Sequence, residues 1–209
     1  MARPRRFTDD QVLDAARDLL TDPMVARPGI AAISAASGVP TGSIYVRFAS
    51  RDELLARLWL RSIRRFQTGL VEALSGPDPL LAAAAYLPRY CRDQPTEARA
   101  MKMFHRDELL EVGPEDLRAT IAAVNDDMNA ALRNAVAAEF GAADDRGMAI
   151  AGAAVKAIPY GLVRDFIARA APIPDWVDDV VLTASAAVVR KFRQPPPPAC
   201  APRQDSLTQ

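Results

Sequence analysis

Apolar residues recur at three- and four-residue spacing through most of the chain, and glycines and prolines interrupt them, a pattern that leads to helices joined by short connections. In these 209 residues the breaks fall at Asp22-Pro23, Gly38, Gly76-Pro77-Asp78-Pro79, Gly113-Pro114, Gly141 and Pro172-Ile173-Pro174. Beyond residue 76 no strand pattern competes. The expected fold class is all-α, and a chain of this length can bury a real core without disulfides.

Thr8-Asp9-Asp10-Gln11 has the form of a capping box, so a first helix should start there, with Val12, Ala15, Ala16, Leu19 and Leu20 on one side. Residues 30–36 predict a short second helix with Ile30 and Ile33 inward, ended by Gly38 in the left-handed conformation. A third helix should run from Pro40 or Thr41 to Phe48. Ser50-Arg51-Asp52-Glu53 is a second capping box and opens a helix reaching Leu74. At about 1.5 Å per residue, two dozen residues span roughly 35 Å, enough to join two parts of a molecule. Further helices are expected over 78–93, 95–111, 114–140, 144–171 and 174–193. The polyproline stretch that begins at Gln194 opens a tail with too little apolar surface to fold.

Net charge is zero, yet residues 1–66 carry 11 Arg or Lys against 7 Asp or Glu while the remainder carries 15 against 19. The basic half is where a nucleic-acid partner is to be sought. Cys91 and Cys200 are the two cysteines, and with no apolar membrane span or leader pattern the expected setting is a reducing cytoplasm.

The second and third helices, separated by a tight turn at Gly38-Val39, form a helix-turn-helix arrangement. A recognition helix enters a groove about 12 Å wide, so it needs short polar groups outward and an apolar anchor inward. Ile44 and Phe48, four apart, supply the anchor, which leaves Thr41, Ser43, Tyr45 and Arg47 for the groove and its walls. Arg47 suits guanine or phosphate, and Arg51 suits phosphate. Arg3, Arg5 and Arg6 form a basic arm for phosphates or the minor groove. The competing reading is a corner of an ordinary bundle with Tyr45 and Phe48 as partly buried aromatics.

The stretch from Ile33 to Phe48, followed by Ser50-Arg51-Asp52-Glu53-Leu54-Leu55, resembles the DNA-binding signature of the tetracycline-repressor (TetR) family of bacterial regulators. The resemblance implies phosphate contacts for Tyr45 and Arg51, and places Thr41, Gly42 and Ser43 at or near the bases. It departs at Arg47, where the family commonly has histidine, at Pro40, where it has serine or threonine, and at Pro28-Gly29, near a usual threonine. It implies residues 1–50 as the DNA-binding domain with its basic arm and 51–193 as an effector-binding and dimerisation domain, while composition makes 194–209 a disordered tail.

Two late apolar stripes, Ala151, Ala154 or Val155, Ile158 and Leu162, then Val177, Val180, Val181, Ala184 and Val188, permit close helix packing. Within the resemblance these pair with a second copy, giving a homodimer on double-stranded, palindromic operator DNA. Tyr86, Tyr90, Met101, Phe104, His105 and Tyr160 mix apolar walls and polar tips, as a pocket for a small-molecule effector does. Met101, Met103 and His105 are metal-ligand types, but on a helix Met103 points away from the other two, so no metal is expected. No nucleophile or cofactor fingerprint accompanies His105, so neither catalysis nor a cofactor is expected. The leading reading is a ligand-responsive repressor; a ligand-independent architectural or scaffolding DNA-binder is the alternative.

Overall fold

The computed structural model describes residues 7–22 and 28–193, and every regular element among them is helical. The basic arm of Arg3, Arg5 and Arg6, and the tail 194–209 with Cys200, lie outside the described residues. The first helices are α1 (Asp9–Thr21), α2 (Ile30–Ser37), α3 (Thr41–Tyr45) and α4 (Arg51–Ser75). After them come α5 (Pro79–Asp93), α6 (Pro95–Met101), α7 (Arg106–Val112), α8 (Arg118–Ala122), α9 (Asp126–Phe140), α10 (Asp145–Gly152), α11 (Ile158–Ala168) and α12 (Trp176–Arg193).

Both capping boxes form at their hydroxyl ends. The Gln11 amide N–H donates to Thr8 Oγ1 at 3.1 Å, and the Glu53 N–H donates to Ser50 Oγ at 3.0 Å. In the second box the Glu53 carboxylate reaches back to accept from the Ala49 N–H at 2.6 Å, one residue earlier than a regular box.

Helix α4 is the shared spine. Its first turns give Leu54, Leu55 and Leu58 to a core with Val12, Ala16, Ile33, Ile44 and Phe48. Its middle packs Ala56, Trp59 and Leu60 on Leu109, Leu117 and Ile121, and its end packs Leu70 and Leu74 on α5, α9 and α10. At about 1.5 Å per residue, 25 residues span roughly 37 Å, so one rigid rod touches three cores. A fourth core joins α5 and α6 to α11 and α12 through Ala84, Cys91, Ala98, Val163 and Val181.

Two predicted helices are broken in the structure. The helix expected over 95–111 ends at Met101, residues 102–105 are irregular, and α7 starts afresh at Arg106. The helix expected over 114–140 is a short 3₁₀ turn (Glu115–Leu117), α8 and α9. Arg106 gives the reason for the second break. Its guanidinium donates to the carbonyls of Ile121 (3.2 Å) and Ala122 (2.6 Å), which a continuous helix would have offered to its own N–H groups four residues on.

The segment between α10 and α11, Ala153–Ala157, is wound as a π-helix, with the Ile158 N–H donating to the carbonyl of Ala153. In a regular α-helix Pro159 would free the carbonyl four residues back, that of Val155. In the wider π frame the partnerless carbonyl is five residues back, that of Ala154. The fully buried Ser185 of α12 donates its hydroxyl to that oxygen at 2.8 Å, so the irregular turn is satisfied from across the core.

Candidate functional site

The turn before α3 is built from local chemistry. Gly38 ends α2 at φ 67, where a side chain would strain the backbone. Ser34 donates its hydroxyl to the Val39 carbonyl at 2.7 Å, and the Val39 N–H donates to Ser37 Oγ at 3.2 Å. The Gln11 side-chain amide donates to the Ser37 carbonyl at 2.7 Å, so α1 grips the turn itself. Pro40 then opens α3, its carbonyl accepting from the N–H groups of Ser43 and Ile44. The helix proper stops at Tyr45, shorter than predicted, and turns continue to Phe48.

Ile44 and Phe48 are buried, as the anchor reading requires. Tyr45 is 52% exposed, which removes the reading of it as a partly buried corner aromatic. Thr41 and Gly42 are exposed, and Ser43 is half-buried. A methyl group added at Gly42 would meet no atom within 4 Å, so neither packing nor backbone strain calls for glycine there.

Val46 is the residue that sequence reading passed over. It is 87% exposed at the tip of α3 beside Tyr45, a position where an apolar side chain can meet a thymine methyl or a sugar. The signal was available: two residues after Ile44 and two before Phe48, it lies about 200° around the helix from each and so faces away from the anchor.

Arg47 corrects an expectation. Instead of reaching outward, its guanidinium donates to the Asp9 carboxylate and, at 2.5 Å, to the Phe7 carbonyl, leaving the side chain 16% exposed. It ties the end of the recognition segment to the start of α1. Arg51 is partly tied as well, its Nε donating to the Pro28 carbonyl at 3.0 Å.

The family described as bacterial regulatory proteins, tetR family, matches residues 12–58, which hold α2, α3 and most of α1. Residues 12–58 are thus a DNA-binding domain of the TetR type. A comparison with curated proteins found no match. Solved structures of the same fold include PfmR, a TetR family transcriptional regulator of Thermus thermophilus, 17% identical with TM-score 0.60, over 86% of this chain and 97% of that one. A TetR family regulator of Marinobacter aquaeolei is 11% identical with TM-score 0.62, over 86% and 94%. A transcriptional regulator of a Rhodococcus species is 16% identical with TM-score 0.64, over 91% and 100%. Among the described residues no helix is long and apolar enough to cross a membrane.

The six residues expected to line one pocket are dispersed. Tyr86 and Tyr90 share the wall of a cavity of about 630 Å³. Met101 is half-buried at the end of α6, its carbonyl accepting from Trp59 Nε1 at 3.3 Å. Phe104 packs against the cores on either side of the first half of α4, His105 is exposed at the start of α7, and Tyr160 is exposed with Lys102 Nζ 5.8 Å from its ring centre. The cause is the break after Met101, which takes Phe104 and His105 off the face they would have occupied on a continuous helix.

The expected dimer stripes also divide. Ala151, Val155, Val177 and Val181 are buried within the chain's own core; Ile158, Leu162, Ala184 and Val188 are half-buried; Val180 alone of the nine is exposed. The outward face of α11 and α12 presents Tyr160, Trp176 and Val180 among small residues such as Gly161 and Ala187. Helical periodicity marks an apolar stripe but does not say whether it meets the core or a partner.

Proposed function

We propose that this chain is a ligand-responsive repressor of the TetR family that binds palindromic operator DNA as a homodimer in the cytoplasm, with no catalysis of its own. The observation that carries the reading is the form of α3. A five-residue helix pinned by buried Ile44 and Phe48 presents Thr41, Gly42, Tyr45 and Val46 outward, with no packing role for any of them. The large apolar side chains of Tyr160, Trp176 and Val180 left exposed on α11 and α12 support pairing, since an interface with a second copy would cover them. A twofold pair would offer two such helices to successive major grooves.

Regulation is thermodynamic coupling. An effector acts only if it binds one arrangement of the helices better than the other, and then DNA and effector oppose each other by the same factor. Selection of bound sequences from a random DNA pool by the purified protein tests the reading. An inverted repeat, with half-sites centred one helical turn or a multiple of it apart, is the expected product. Recovery of no preferred sequence favours the architectural DNA-binder instead.

A further inference from the structure

The cavity walled by Tyr86 and Tyr90 lies where the DNA-binding unit meets the rest of the chain. Arg17 comes from α1, Arg65 from α4, Arg89 and Asp93 from α5, and Glu97 from α6. At its inner edge Glu97 is buried and fully engaged. It accepts from Arg17 at 2.8 Å, from Arg65 at 2.6 Å and from Ser62 Oγ at 2.5 Å. One carboxylate therefore holds α1, α4 and α6 together.

The unspent groups of this wall are mostly donors. Arg65 makes one close contact, to Glu97, and lies 3.8 Å or more from Asp10 and Asp14. Arg89 is more than half exposed, with Asp178 at 3.7 Å. The Tyr90 hydroxyl is buried with no hydrogen-bond partner, and burial, with the nearby Glu97 charge, keeps it in its protonated, donating form. Asp93 is the acid of the wall not already held by arginines, and it is exposed. The aromatic side is set by Phe66, whose ring centre lies 5.4 Å from that of Tyr86 and 5.1 Å from that of Tyr90. A wall of donors beside flat rings complements an acceptor carried on a flat apolar body.

We propose that this cavity is the effector site and that its occupant is an aromatic organic anion, whose carboxylate takes Arg65 and Arg89 and competes with Glu97 for Arg17 and Arg65. The proposal rests on reading the chain as ligand-responsive. Drawing the arginines away leaves Glu97 buried without its counter-charges and loosens α1, which grips the turn before α3 through Gln11 and the end of α3 through Asp9. Occupancy therefore weakens DNA binding.

The test uses the full chain and a panel of probes: benzoate, 4-hydroxybenzoate, 2-naphthoate and indole-3-acetate, each beside its neutral amide and its cationic methylammonium analogue. Calorimetric titration without DNA should show at least one carboxylate binding tenfold or more tighter than both analogues. Arg89→Gln should weaken that carboxylate at least fivefold with an unchanged melting midpoint, and Glu97→Gln, which removes the competitor, should tighten it. No carboxylate preference, or binding indifferent to both substitutions, overturns the anion site. The same carboxylate should lower affinity for the selected operator at least fivefold; an unchanged operator affinity overturns the effector assignment. If no DNA sequence is preferred while carboxylates bind as described, the anion site stands and the regulator reading falls.

Discussion

Arg47, at the end of the recognition segment, donates to the carboxylate of Asp9, in the first turn of α1, and to the Phe7 carbonyl beside it. The acid sits at the positive end of its helix, so the contact joins a favourable helix-end charge to a forked donor. Arg47 thereby fixes the angle at which α3 leaves the domain. A phosphate contact and an internal strut make opposite predictions about salt. Arg47→Ala should weaken operator binding without changing the slope of log affinity against log salt, whereas loss of a phosphate contact would reduce that slope by about one. Asp9→Asn should reproduce the effect, and the double variant should be no worse than either alone, measured by DNA titration at several salt concentrations.

Tyr45 lies outside the core, so its removal should be felt only by DNA. Tyr45→Phe should lower operator affinity by roughly tenfold, the order of one hydrogen bond to a charged group, with no change in melting midpoint. Val46→Ala should weaken binding most at one base-pair position if it meets a thymine methyl. Affinities over a set of single-base operator variants, with melting curves for both proteins, provide the check.

The N-terminal unit was legible because its instructions are local. Thr8, Gly38, Ser50 and the Ile44–Phe48 pair each act within four residues, and caps, a left-handed glycine and helical spacing announce them. What was hidden depends on partners distant in sequence. Arg106 ends α8 from 15 residues away, Ser185 accommodates the π turn from 31 residues away, and Arg47 finds Asp9 across 38. No glycine or proline marks residues 102–105, so the break that scatters the expected pocket residues left no trace in the pattern.

The Ser185 hydroxyl donates to the Ala154 carbonyl from across the core, and both residues are fully buried. Ser185→Ala should leave that oxygen unsatisfied, destabilising the fold by about 1–3 kcal/mol. In a chain of this size each kcal/mol shifts the midpoint by about 2–4 °C. Ser185→Ala combined with Pro159→Ala should recover part of the loss, because an N–H returns at residue 159. Thermal melts of the three proteins separate this account from simple loss of packing volume, which the second substitution would not repair.

Burial of Glu97 opposes its ionisation, but hydrogen bonds from Ser62, Arg17 and Arg65 outweigh that and hold its carboxyl below the ordinary value of 4.5. A carboxyl whose pKa is lower folded than unfolded adds stability that is fully present above its unfolded value and is lost as pH falls through the folded one. Between pH 6 and pH 3 the native chain should therefore lose stability faster than Glu97→Gln, whose amide does not titrate. The difference should concentrate below pH 4.5 and shrink in Ser62→Ala, which removes one of the bonds that lower the value. Urea unfolding across that range measures it, and equal pH slopes for native chain and Glu97→Gln would show that this carboxylate does not tie α1 to α6 in solution.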